Sequence, residues 1–185
     1  LLSNPFKTFS AAIANDNLDL DAANTTGVTA VDDKTVGIGA PTIASAASQI
    51  FVKNQATTAI QVITITEDAS VPVINTVDDI RITVPSGSNF VWDATDLTAT
   101  IGGADAAKVS GTVTYEDSNR TLVVNVTTNF GASGVVTISG LSYKTFSAAA
   151  AADNLDLEVA NDGTVEATDS TTITQGEPTM ASSAA

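Results

Sequence analysis

From Ser48 onward the chain sets short alternating runs of apolar and polar residues between clusters of turn residues, the period-two pattern of strands that bury one face. Ile60 to Glu67, reading Ile-Gln-Val-Ile-Thr-Ile-Thr-Glu, predicts the first long strand. Ile80-Arg81-Ile82-Thr83-Val84 predicts another. Successive side chains leave a strand on opposite faces, so Ile80, Ile82 and Val84 point inward and Arg81 and Thr83 outward. Pro85 ends this run, because proline has no N–H to give a ladder. Val109 to Glu116 and Thr121 to Thr127 predict a hairpin around the turn Asp117-Ser118-Asn119-Arg120. Val113 and Tyr115 share one face, and Leu122, Val124 and Val126 share another. Val135 to Leu141 predicts a further strand after Gly131 and Gly134. Leu155, Leu157 and Val159 then face inward, with Asp156 and Glu158 outward, before Asn161-Asp162-Gly163 turns the chain into Val165 to Ile173. The Ala-rich run Phe146 to Ala152, like Phe9 to Ala14, is the one helical candidate. At that length it predicts a loop with a single turn. About eight or nine strands result, arranged as an all-β antiparallel β-sandwich.

Self-similarity divides the chain. Lys7-Thr8-Phe9-Ser10-Ala11-Ala12 returns as Lys144-Thr145-Phe146-Ser147-Ala148-Ala149, and Asp16-Asn17-Leu18-Asp19-Leu20 returns as Asp153-Asn154-Leu155-Asp156-Leu157. Gly39-Ala40-Pro41-Thr42 matches Gly176-Glu177-Pro178-Thr179, and Ala44-Ser45 matches Ala181-Ser182. The offset is 137 throughout, without a gap, and about 24 of the 41 positions from Lys7 to Ala47 are identical to their partners. A tandem repeat of period 137 follows. Residues 48–185 read as one complete sandwich unit. Residues 1–47 read as a partial repeat, the C-terminal strand block of a preceding or neighbouring unit. The punctuation at Gly39-Ala40-Pro41 and Gly176-Glu177-Pro178 marks short junctions between successive units. A strand block without its own body is equipped to complete a neighbour, so assembly is expected through Phe9, Leu18, Leu20, Val28 and Val36, with copies of the chain as partners.

Composition sharpens this reading. The apolar fraction of 43% comes from Ala, Val, Ile and Leu, with aromatics at only 5%. Together with abundant Thr, that favours pleated half-buried surfaces over helices. A net charge of −14 lacks the clustered cations that phosphate binding needs, so no nucleic-acid partner is expected, nor adhesion to anionic lipid. No stretch approaches the roughly 20 apolar residues of a membrane-spanning helix. Leu1-Leu2-Ser3 does not read as a signal peptide, so any export signal is expected outside this chain.

The chain has no His and no Cys. A Ser/His/Asp triad, a thiolate nucleophile, a zinc-thiolate site and a disulfide are therefore ruled out by composition. Carboxylate pairs of the kind that hydrolyse glycosides would have to come from residues at outward strand positions or in turns, where solvated charge is the ordinary explanation. Gly102-Gly103 has no helix to open and is a loop pair rather than a phosphate cradle. No enzyme is expected. No cofactor is expected either, with calcium as the one candidate ligand: Asp153, Asp156, Asp162 and Asp169 cluster late in the unit, and Asp16, Asp19 and Asp32 recur in the partial copy. Calcium takes six to eight oxygens, yet no segment has the twelve-residue spacing of an EF-hand. Turn capping by Asp is the competing explanation. Lys53, Lys108 and Lys144 are the candidates for an isopeptide bond, Trp92 for a sugar platform, and Asn24, Asn119 and Asn125 for glycosylation.

The run Asp79 to Pro85, the segment Phe90-Val91-Trp92-Asp93, the hairpin Val113-Thr114-Tyr115-Glu116-Asp117 to Leu122-Val123-Val124, and the block Asp153 to Leu157 resemble the Thr-rich Ig-like or cohesin-like sandwich repeats of large bacterial and archaeal surface proteins. That resemblance spans about Ser48 to Thr174. It implies a jelly-roll-like sandwich displayed at the cell surface, in a filament, sheath or layer, with an adhesin stalk as the alternative. It carries over no active-site residues.

Overall fold

The computed structural model describes residues 13–20 and 30–181. Phe9 and Val28 lie outside them, as does the start of the N-terminal Ala-rich run. The described chain is all-β, built from several antiparallel sheets that do not close into a barrel, an arrangement consistent with a β-sandwich.

The sandwich is made of two main sheets. In the first, β10 (Val109–Glu116), β11 (Thr121–Val126), β7 (Ile80–Thr83), β15 (Asp156–Glu158) and β16 (Ala167–Thr168) lie side by side in that order. The second runs β3 (Thr42–Ser45), β6 (Ile63–Thr66), β12 (Val135–Ser139), β9 (Thr100–Gly102). Alternation explains how they meet. Ile63 and Ile65 of β6 and Val136 and Ile138 of β12 are buried, and so are Ile80 and Ile82 of β7, Leu122 and Val124 of β11, and Leu157 of β15; all belong to one apolar cluster.

Two smaller sheets close one end. β5 (Thr58–Ala59), β13 (Ser142–Lys144) and β8 (Val91–Trp92) form one, with β13 central. The other sets β17 (Ile173–Gly176) between β14 (Ala150–Asp153) and β4 (Gln49–Val52), and β4 runs parallel to β17. Their shared filling is aromatic. Phe51 lies 4.6 Å from Phe146 and Phe90 lies 4.8 Å from Tyr143, while Trp92 packs 4.7 Å from Tyr143. Tilted and edge-on rings fill a space that Val and Ile leave open. Trp92 is fully buried and donates its indole N–H to the Ile82 and Arg120 carbonyls. It is a core residue rather than a sugar platform.

Three expectations change. The Ala-rich run forms no helical turn: Ala150–Asp153 is edge strand β14, paired to β17. Seven residues are too few for a helix to outlast its nucleation cost, and an adjacent open strand edge captures them. The only helical residues described are a single 3-10 turn at Ala106–Lys108. Arg81 does point outward but is buried there, paired to Glu116 and flanked in register by Val123 and Glu158. Finally, fourteen short segments, β4 to β17, stand in residues 48–185, where about eight or nine strands were expected. One expected strand from Val165 to Ile173 becomes β16 and β17, separated by the turn that Asp169 caps.

The turn Asp117-Ser118-Asn119 is made of three left-handed residues, with φ of 51°, 58° and 68°. Asp and Asn tolerate that region better than other side chains. The turn is fastened by Thr121 Oγ1 donating to Asp117 Oδ2 at 2.7 Å and by Trp92 N donating to Asn119 O at 2.9 Å.

Candidate functional site

The N-terminal segment stands apart from these sheets. β1 (Ile13–Leu20) and β2 (Ala30–Ile38) form a two-stranded antiparallel hairpin that, among the described residues, pairs with no other strand. Its register is that of the C-terminal strands moved by 137 residues. Ile13 faces Ile38, Asp16 faces Val36, Asp19 faces Val31 and Leu20 faces Ala30. One step along, Ala150 faces Gln175, Asp153 faces Ile173, Asp156 faces Thr168 and Leu157 faces Ala167.

The hydrogen bonds repeat as well. The Asn17 amide donates to the carbonyls of Asp32 (2.6 Å) and Lys34 (3.4 Å), as Asn154 donates to Asp169 (2.8 Å) and Thr171 (2.9 Å). Asp32 Oδ1 accepts from Lys34 N as Asp169 Oδ1 accepts from Thr171 N. Identical residues at Asp16-Asn17-Leu18-Asp19-Leu20 thus fold into the same bulged hairpin twice. Here each Asn spans the break in its strand, tying the bulge to the opposite chain.

What differs is the cover. Leu155 and Leu157 are 1% and 0% exposed, because β15 lies along β7 with Leu157 opposite Ile82. Their copies Leu18 and Leu20 are 50% and 57% exposed. Val31 and Ile13 are exposed too. Together Leu18, Leu20, Ala30 and Val31 line a shallow hollow, with Asp19 and Asp32 on its walls. A two-stranded hairpin is marginal alone in water, and one with an uncovered apolar face and open edges is a template for pairing. Of the assembly residues expected from sequence, Leu18 and Leu20 lie on this face, and Val36 is a half-buried residue of β2.

The base of the hairpin is held to the sandwich. Ala40 N donates to Asp68 Oδ2 at 3.3 Å, and Asp68 Oδ1 accepts from Ser70 N and Val71 N. These backbone donors hold the Asp68 carboxyl below the usual carboxylate range, with Ser70 contributing most. Gly39 lies so close to the Val71 carbonyl that no side chain fits there, and a Cβ at Gly37 would meet the side chains of Asn15 and Val71. Buried Glu67 organises the same loop, accepting from Val73 N and Ile74 N. β3 begins four residues beyond Ile38 and pairs with β6 from Thr42 to Ser45, so the sandwich takes in residues that precede Ser48.

The four candidate calcium carboxylates are engaged in hydrogen bonds within the fold, Asp162 and Asp169 at turns and Asp156 across a strand pair. Asp153 Oδ1 accepts from Asn154 N, and Asp156 Oδ1 accepts from Thr168 Oγ1. Asp162 Oδ1 caps Thr164 N, which holds its carboxyl below the usual range. Asp169 is buried and accepts from Thr171 N and Oγ1 and from Ser45 N and Oγ, fastening β3 to the C-terminal strands. Among the described residues no group of three or more carboxylates converges on a point that could hold a metal ion. The lysines are ion-paired: Lys144 to Asp93 at 2.8 Å, Lys53 to Glu177 at 2.6 Å and Lys108 to Asp105 at 3.2 Å. Lys144 and then the Thr95 backbone hold Asp93 ionised, the opposite of what amide formation between the two would need.

No protein family, curated protein or solved structure matches this chain.

Sequence reasoning missed the Asp68 and Asp169 clamps. Asp-x-Ser and Asp-x-Thr at 68–70 and 169–171 announce local turns. The distant partners, Ala40 and Ser45, leave no mark in the sequence.

Proposed function

We propose that this chain is a structural repeat from an extracellular filament, sheath or surface layer, in which Ig-like sandwich units of period 137 follow one another and join through strand contacts. The observation that carries the reading is the second hairpin, whose register and hydrogen bonds match those of β14–β17 while its leucines lack a sandwich to cover them. Burying one leucine side chain contributes about 2 kcal/mol, so two such residues held in water on a preformed strand favour docking. The other end supports the same phase. Met180 stands in the copy of the position of Ile43, and it is 99% exposed where Ile43 is 4% exposed. The acidic, Cys-free, Thr-rich composition suits a surface that stays soluble and folds without disulfides. The unit acts by assembling, not by turning over a substrate.

Electron microscopy of the purified native material tests this reading. Ordered filaments or sheets with a regular spacing of a few nanometres are expected. Dispersed single particles at high protein concentration would overturn it.

A further inference from the structure

Resting on that reading, we infer that the β1–β2 hairpin docks on a second sandwich body one repeat upstream in the same polypeptide. There Asp19 would sit opposite that body's Thr83 position and Leu20 opposite its Ile82 position. The C-terminal strands of the chain supply the template. β15 lies against β7 with Asp156 facing Thr83, Leu157 facing Ile82 and Glu158 facing Arg81. β17 lies parallel to β4, from Ile173 facing Gln49 to Gly176 facing Val52. Since four of the five pairings inside β1–β2 have their counterparts 137 residues later, the hairpin presents Asp19, Leu20 and Val36 in the same spatial order as Asp156, Leu157 and Ile173. A one-residue slip would turn Leu18 and Leu20 away from the body, so the apolar pattern admits a single register.

The lead-in residues place this body in the same polypeptide. In the complete unit β13 passes into β14 through Lys144-Thr145-Phe146-Ser147-Ala148-Ala149. Lys144 pairs with Asp93 and Phe146 packs on Phe51, so this stretch is fitted to the body it leaves. The same six residues, Lys7 to Ala12, lead into β1. A hairpin recruited by an unrelated partner, or by another subunit alone, would not need a connector shaped for the preceding body. At the other end the three-residue connector Gly39-Ala40-Pro41 and the Asp68 clamp leave little freedom between the hairpin and the sandwich that follows. Successive units are therefore held in a fixed relation.

The test is a chain in which a second copy of residues 41–143 is fused directly to Lys7, which keeps the 137-residue step. Amide hydrogen exchange across Ile13–Leu20 should slow by about 100-fold or more relative to the unextended chain, because it then requires opening of a packed sheet. The natural chain has no cysteine. Asp19→Cys with Thr83→Cys in the added copy should therefore close a disulfide within one chain under mild oxidation, whereas Asp19→Cys with Arg81→Cys should not. Unchanged exchange, equal closure by both pairs, or disulfides only between separate chains would each overturn the inference. So would an added copy that stays unfolded while the downstream sandwich melts normally, since the hairpin would then have failed to complete it. Any of these could occur in a protein that still forms filaments, so this failure is separable from failure of the structural role.

Discussion

The two copies of one leucine make a paired experiment. Leu157→Ala removes a side chain that is 0% exposed and sits opposite Ile82 between the two main sheets. The lost transfer free energy is about 2 kcal/mol and the residual cavity adds to it, for a total of about 3–4 kcal/mol. Leu20→Ala makes the same chemical change at the matching position, but that side chain is 57% exposed and touches no second layer. Its expected cost is below about 0.5 kcal/mol. The chain's single tryptophan, fully buried at Trp92, reports unfolding of the sandwich by fluorescence. With a urea dependence of about 2 kcal/mol per molar, Leu157→Ala should lower the midpoint by about 1.5–2 M and leave the slope unchanged. Leu20→Ala should leave the midpoint within about 0.25 M by the same conversion. Equal shifts from the two variants would refute the reasoning, because they would mean that the hairpin face is already packed in the single chain.

Four further outcomes follow from the geometry. Asp169→Ala strips an acceptor from Ser45 and Thr171 in a buried place and should cost about 2–4 kcal/mol in urea unfolding; a loss below about 1 kcal/mol would show that β3 does not depend on it. Burial holds the Tyr143 hydroxyl protonated well above its ordinary 10.0 and raises Tyr115 to about 12. The unfolded chain releases these protons near pH 10 while the folded chain keeps them, so stability is intact below about pH 10 and falls as pH rises further; tyrosinate absorbance near pH 10 with native Trp92 fluorescence would contradict this. Lys144→Ala should cost about 1 kcal/mol near neutrality. Because Asp93 is depressed, that cost should persist above the carboxylate range and vanish as pH falls through it. Calcium at about 100 times a millimolar-range Kd would add about 2.7 kcal/mol; with the four Asp residues already engaged as separate hydrogen-bond acceptors, the melting temperature should instead move by less than about 1 °C, as read by calorimetry with and without chelator.

Where apolar and polar residues alternate cleanly, the position of a strand is readable from sequence, though β6 covers only half of the run expected from Ile60 to Glu67. β6, β7 and the β10–β11 hairpin form where the pattern places them, and Leu155, Leu157 and Val159 are buried as the alternation requires. Alternation has less to say where a strand is covered on both faces. β11 buries Thr121 and Val123 along with Leu122 and Val124, and Arg81 is buried on the outer face of β7. Ala150–Asp153 reads as a turn of helix because alanine favours one locally. Pairing with β17 is a long-range effect that local propensity does not carry.

The second hairpin was legible for a different reason. The repeat marks residues 13–38 as a copy, and identical residues carry identical side-chain ties across the bulge. Sequence cannot reveal that one copy is covered and the other bare. That depends on whether a β7 lies beside it, which is a matter of neighbours in space. The acidic residues show the same limit: spacing alone groups Asp153, Asp156, Asp162 and Asp169, while the fold gives each separate hydrogen-bond partners, at turns for Asp162 and Asp169 and across a strand pair for Asp156.

The central claim is that the β1–β2 hairpin is a strand pair whose sandwich lies in a neighbouring unit. Amide hydrogen exchange on native assembled material, compared with the 185-residue chain alone, tests it most directly. In the assembly, residues 13–20 and 30–38 should be protected as strongly as their copies in β14–β17, while in the single chain they should exchange faster by about two orders of magnitude. Fast exchange of residues 13–20 and 30–38 in the assembled material, with their copies in β14–β17 fully protected, would contradict the account.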